Sequence, residues 1–324
     1  MKYEKFGAPA LIVAALLFSV DGLLRRHLFA LPAPVIVFWE HTLGFLILLP
    51  FILASLKYFK QLTRKQWFAI AGVAFLSGAV ATILYTAALG RIQYIPFSVV
   101  VLLQQLNPVF AISTAALLLH EPLSRRFYAL SAVALVAAYF LWLPHGTVNL
   151  STGKGTFMAG LMALGAAAAW GISTAFSKYS LKNTSTVHIT ALRFGITPFF
   201  ALIFVALSGS MHAVGSITLD QLKYLVAITF STGMVALLIY YFGLKRVMAS
   251  QSAILELAWP ISAVVVGYIW LGQGLTGEQA AAAAVLTGAI YFIARDTFQE
   301  KPAKIKKATT KAAHSKRKPA SEPA

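Results

Sequence analysis

Apolar residues along the chain fall into ten long runs, roughly 7–24, 33–56, 67–88, 95–119, 126–143, 155–176, 187–207, 222–242, 248–271 and 279–294. Most approach the roughly 20 residues that an α-helix needs to cross about 30 Å of hydrocarbon. They are apolar on every side and lack the two-residue alternation of a barrel strand, so they read as helices. The first run begins with Lys2 and Lys5, like a secretory leader. Nine similar runs follow it, however, and Asp21 interrupts its end, so it reads as a retained span.

The second half of the chain repeats the first. Residues 1–146 align with 153–298 at an offset of 152. Phe18 meets Trp170, His41 meets Arg193, Gln104 meets Glu256, and Pro108 meets Pro260. Around the third and eighth runs the offset is 155, so Tyr85 meets Tyr240. Five spans per half is an odd number, which turns the halves upside down relative to one another. The expected fold is an all-α integral membrane protein of ten transmembrane helices in two inverted five-helix repeats. Residues 299–324 are expected to form a disordered basic cytoplasmic tail. Inverted repeats are the architecture of many secondary transporters, with the substrate between the halves near the midplane.

Composition agrees with the pattern. Of 324 residues, 59% are hydrophobic and 11% charged, and the mean hydropathy is +0.75. Soluble domains run nearer 45–50% and 25%. There is no Cys, which removes disulfides, thiolate metal sites and cysteine nucleophiles. The net charge of +17 sits between the runs and in the tail, where residues 301–324 hold eight Lys/Arg and one Glu. On alternate sides of the expected spans the Lys/Arg count is 21 to five. This places both termini in the cytoplasm of a plasma membrane. The tail's expected partner is the anionic inner leaflet, not nucleic acid.

The motifs have a familiar order. Ala88-Leu89 closes the third run, Pro108 lies within the fourth, and Leu118-Leu119-His120-Glu121-Pro122-Leu123-Ser124 leads into the fifth. The second half has Gly243-Leu244, Pro260 and Leu271-Gly272-Gln273-Gly274-Leu275-Thr276. This resembles the drug/metabolite transporter superfamily in its EamA-type branch, over about 7–295. The resemblance implies the ten-helix fold, transport of small metabolites such as amino acids, and export. His120 and Gln273 depart from the usual Gly and Glu. Ser124 and Thr276 read as helix N-caps.

Ionisable groups within a membrane span are functional candidates by default. Glu256 has Ser252 at i−4 and Pro260 at i+4. A proline lacks the N–H that would bond the carbonyl at i−4, so a carboxyl and an unpaired carbonyl are expected together at a kink. Gln104, with Pro108 at i+4, is the counterpart expected to line a cavity, with Gln105 and Asn107 either beside it or holding helices together. Glu40 and His41 enter from the outer side and Arg193 from the inner. Glu256, Glu40 and His41 are the candidates for proton coupling. Arg193 either binds a substrate carboxylate or reaches back to the surface. Trp170, Tyr85 and Tyr240 either stack on substrate or pack, and Ser173, Thr174 and Ser177 follow Trp170 around the same turns. Asp21 and Arg25 read as an interfacial i,i+4 pair.

There is no phosphate-binding loop: Gly153-Lys154 would need Gly at 148, which is Val148. No catalytic motif or metal spacing occurs, so no cofactor and no enzyme activity are expected. The resulting expectation is a secondary transporter that alternates access between two repeats. A flippase for a lipidic compound and a non-transporting membrane sensor stand as alternatives.

Overall fold

The computed structural model describes residues 6–54, 56–91, 93–119, 123–143, 154–181, 185–247, 252 and 255–295. The basic tail lies outside the described residues, as do His120, Glu121 and Pro122. The described secondary structure is all-helical, with no strand. Eight helices are long and apolar enough to cross a membrane. They are α1 (Gly7–Leu28), α2 (Ala33–Ala54), α3 (Arg64–Leu89), α4 (Phe97–Thr114), α6 (Gly155–Ser180), α7 (Thr186–Leu207), α8 (Leu219–Arg246) and α10 (Gly277–Arg295). Two more lie between them. One is α5 (Arg125–Trp142), which opens on the Arg125-Arg126 pair. The other is α9 (Ala258–Leu271), shortened to 14 residues by a turn around Glu256.

Caps decide where several helices begin. Thr63 and Gln66 form a reciprocal capping box at the start of α3. Thr218 and Gln221, 155 residues on, form the same box at the start of α8. The Ser124 hydroxyl accepts from the Phe127 N–H at 3.1 Å, and Thr276 and Gln279 cap α10 reciprocally. Each box satisfies two amides that a helix start otherwise leaves without partners.

Departures from α geometry recur as well. Ala74–Ala81 in α3 and Thr229–Gly233 in α8 are wound as π-helix. Gln104–Leu106 in α4 is a 3-10 turn, and the repeat-equivalent turn before α9 contains Glu256. Mid-helix breaks of this kind expose backbone groups, and in membrane proteins they persist where the backbone is buried in protein or lines a cavity.

Packing runs between the halves. The helix α1 packs on α8 and α9, α6 packs on α3 and α4, and α7 lies along α2. At the offsets of 152 and 155, α1 corresponds to α6, α3 to α8 and α4 to α9, so the contacts exchange. The contact of α6 with α4 is especially close. A β-carbon on Gly171 would stand 2.6 Å from the Asn107 carbonyl oxygen and 2.7 Å from Cβ of Phe110. Gly155, Ala159, Ala163, Ala167 and Gly171 supply the small surface this approach needs.

One apolar core joins α3, α4, α5, α6, α9 and α10, and a second joins α2, α7 and α8. The outside is apolar too. Phe68 and Leu207 are each 78% exposed and Tyr268 is 70% exposed. A surface of this kind suits hydrocarbon, not water.

Candidate functional site

A cavity lies between the halves, lined from α1, α2, α3, α4, α6, α7, α8 and the turn before α9. Eight pairs of its lining residues are repeat-related. Phe18/Trp170, Asp21/Ser173, Arg25/Ser177, His41/Arg193 and Asn107/Trp259 stand at the offset of 152; Ser77/Thr232, Thr82/Leu237 and Tyr85/Tyr240 stand at 155. The cavity therefore draws its lining from matching positions of the two sequence halves.

One wall is a buried charge network. Arg25 Nε and Nη2 donate to the two carboxylate oxygens of Asp21 at 2.7 and 3.1 Å. Arg25 Nη1 donates to Glu40 at 3.0 Å and to the Thr86 hydroxyl at 3.1 Å. Thr232 donates to Asp21 at 2.5 Å. The planar guanidinium suits this task because its five donors leave in fixed directions. Four helices, α1, α2, α3 and α8, meet at these groups. The expected Asp21–Arg25 pair forms, and both residues are buried within the bundle. The helix α1 runs on to Leu28, which keeps Arg25 inside the bundle and within reach of Glu40.

A second wall is aromatic. The Trp170 ring lies 5.3 Å from Tyr85 and 6.1 Å from Trp259. Phe18 lies 6.2 Å from both Tyr240 and Trp259. The π-wound segment of α3 leaves the Ser77 carbonyl free to accept from Trp170 Nε1 at 3.3 Å and from Thr82 at 2.9 Å. Three lining residues keep a buried donor without a partner: the Tyr85 hydroxyl, Trp259 Nε1 and Arg193 Nε. Buried polar atoms are nearly always satisfied, so three such donors around one cavity call for an occupant.

Arg193 is buried, and its Nη1 donates to the Tyr241 hydroxyl at 3.0 Å. It forms no ion pair among the described residues. Beside it, His41 Nδ1 lies 3.0 Å from the Val37 carbonyl and its ring stacks on Phe194 at 4.8 Å. On the other side of the cavity the Glu256 carboxyl accepts from Tyr240 at 3.2 Å and from Ser252. The expected unpaired carbonyl is corrected. With no N–H at Pro260, the Glu256 carbonyl instead accepts from the Trp259 N–H at 3.0 Å, one position earlier.

Of the residues singled out from sequence, Glu40, His41, Tyr85, Trp170, Arg193, Tyr240 and Glu256 line the cavity. Gln104 does not. The 3-10 turn directs its amide to the carbonyls of Val100 and Ala163, at 3.2 and 2.9 Å, so it joins α4 to α6. Asn107, just before Pro108, does line the cavity, while Gln105 is buried outside it with its amide unpartnered. Pro108 and Pro260 each follow a broken turn.

Residues 5–143 and 157–295 each match the model of the EamA-like transporter family. The chain belongs to this family. It is a membrane transporter and not an enzyme. It is 31% identical over 297 residues to the riboflavin transporter ImpX of Fusobacterium nucleatum subsp. nucleatum, covering 89% of this chain and 97% of that one. A crystal structure that is 19% identical, with a TM-score of 0.59, covers 90% of this chain and 99% of its own, and shares the fold.

Sequence reasoning missed Asp21, Arg25, Thr232 and Trp259 in this EamA-like transporter. The repeat held the signal for the first two: Ser173 and Ser177, which share the Trp170 face, map back to Asp21 and Arg25.

Proposed function

We propose that this transporter is a secondary active carrier of a planar heteroaromatic metabolite with a hydroxylated side chain, of the riboflavin kind. The observation that carries this reading is the aromatic wall of Tyr85, Trp170, Trp259, Tyr240 and Phe18, together with the three unpartnered donors. An isoalloxazine ring offers a flat face for stacking, worth about 0.5–1.5 kcal/mol per aromatic pair. Its ring carbonyls and nitrogens are acceptors for Tyr85, Trp259 and Arg193. A ribityl chain finds hydroxyl and amide partners in Ser173, Thr174, Ser177 and Asn107. The relative named as a riboflavin transporter supports the same substrate class, in preference to amino acids.

The architecture proposed is ten spans in two inverted repeats, 1–146 and 153–298, with both termini cytoplasmic in a plasma membrane. The exchanged helix contacts, the repeated caps and the repeated π-wound segments support it. The halves alternate access to the cavity between them, with no cofactor. A secondary carrier is reversible, so gradients set the net direction.

The test is counterflow of labelled riboflavin in proteoliposomes loaded with unlabelled riboflavin. Wild type is expected to exchange it. Trp259→Ala is expected to raise the half-saturation concentration about tenfold or more, the equivalent of about 1.4 kcal/mol. Wild-type vesicles that exchange no riboflavin would reject this substrate.

A further inference from the structure

We infer that Glu256 is the site at which this transporter carries its coupling proton. This rests on the reading above that the cavity is the translocation site, and it adds what drives translocation.

Three carboxyl groups line the cavity: Asp21, Glu40 and Glu256. Asp21 and Glu40 both accept from Arg25 at ion-pair distance. That network of two carboxylates and one guanidinium has a net charge of −1. Arg193, on the same cavity, adds +1, and the set is neutral. Glu256 is the carboxyl left over. Among the residues that line the cavity, charge balances when Glu256 holds a proton; Lys178 of α6, outside the lining, is the cation that acts on the deprotonated form. An uncompensated charge within the bilayer is costly by a few kcal/mol, so uptake or release of a proton at Glu256 changes the energy of the cavity.

The surroundings fit reversible protonation. Glu256 has no ion-pair partner among the described residues. It faces hydroxyls: Tyr240 from α8, at 3.2 Å, and Ser252 on its own segment. Hydroxyls rotate, so they can donate to a carboxylate and accept from a carboxylic acid. The other ionisable group acting on it is Lys178 of α6, whose ammonium is bonded to the Val247 carbonyl at 2.9 Å. From α1, Phe18 packs on Tyr240 and Trp259 and brings no charge. The group also sits where the chain turns before α9, at the cavity wall, so a proton and substrate would share one cavity.

The other two candidates are placed differently. Glu40 is held by Arg25, and taking up a proton there would leave Arg25 with one carboxylate fewer. His41 stands next to Arg193, and a second positive charge there would be repelled.

The experiment uses the full chain in proteoliposomes, with riboflavin as the probe and the membrane potential clamped at zero. One proton per substrate makes a gradient of one pH unit support about tenfold accumulation, since each is worth about 1.4 kcal/mol. Wild type is expected to reach this, on the alkaline side for symport or the acidic side for antiport. E256Q, which cannot give up a proton, is expected to lose the pH-driven accumulation, and E256D, which keeps a titratable carboxyl, is expected to retain it. Wild-type counterflow that ignores the pH gradient overturns the proposal, and so does E256Q that still accumulates.

Absence of counterflow in wild type rejects the riboflavin reading but leaves Glu256 testable by infrared spectroscopy of the reconstituted protein. A carboxylic-acid carbonyl band that titrates with pH is expected in wild type and absent in E256Q. If E256Q does not reconstitute folded, E256D is expected to shift that band. A band untouched by either substitution overturns the assignment.

Discussion

Arg25→Gln offers the sharpest test of how the interior of this transporter is held together. The Arg25 and Asp21 side chains are 3% and 8% exposed, and Glu40 is 5% exposed. Removing the guanidinium deletes three contacts to carboxylates and one to Thr86. It leaves two buried acids, contributed by α1 and α2, with no cation between them. Breaking a buried pair by removing one partner costs about 3–5 kcal/mol, because the remaining charge is uncompensated. That corresponds to roughly a hundred- to several-thousand-fold in the folding equilibrium. Replacing all the charges together removes the uncompensated acids, so Asp21→Asn with Arg25→Met and Glu40→Gln is expected to be more stable than Arg25→Gln alone. Unfolding by a denaturing detergent in mixed micelles, followed by tryptophan fluorescence, reads both variants. A loss below about 1 kcal/mol for Arg25→Gln, or a triple variant no more stable than the single one, would refute the reasoning.

Two further predictions concern packing and helix starts. Gly171→Ala puts a methyl group against backbone atoms of α4 that cannot swing aside, and is expected to cost about 1–3 kcal/mol. Gly288→Ala on α10, with nothing within 4 Å of its β-carbon, is the control and is expected to stabilise by about 0.5–1 kcal/mol, the ordinary gain of alanine over glycine inside a helix. Thr218→Ala removes the capping box of α8 and is expected to cost about 1 kcal/mol in that measurement, while riboflavin exchange stays at the wild-type level.

Much of the helical layout can be read in the sequence because apolar length is a direct consequence of bilayer thickness. The repeat pattern is equally visible, and the near-constant offset marks Phe18/Trp170, His41/Arg193 and Tyr85/Tyr240 as matched positions. Depth is harder to read. Asp21 and Arg25 look interfacial when helix ends are judged by hydropathy, because a charged pair itself lowers the hydropathy that marks the end. Gln104 fails for a different reason. It stands 152 residues before Glu256, but the 3-10 turn sends its amide into the contact between α4 and α6. The π-wound segments of α3 and α8 have no signature in residue type. The partner of the Glu256 carbonyl could not be foreseen either, since Pro260 shows which donor is missing and not which one replaces it.

The cavity matches the two halves in position but not in chemistry. Asp21, Arg25 and Glu40 all belong to the first half; the second half has Ser173, Ser177 and Leu192 at the corresponding places. Two identical inverted halves exchanging conformations would give states of equal energy, populated one to one. Here the exchange does not carry the charged set onto itself. The backbone can be symmetric between inward- and outward-facing forms while the electrostatic field cannot. In a carrier that alternates as proposed, the empty protein would therefore have a resting orientation, and a difference of a few kcal/mol would leave the opposite one at about 0.1–10%. The side of the membrane on which it waits would then be set by Asp21, Arg25 and Glu40 of the first half against Arg193 and Glu256 of the second.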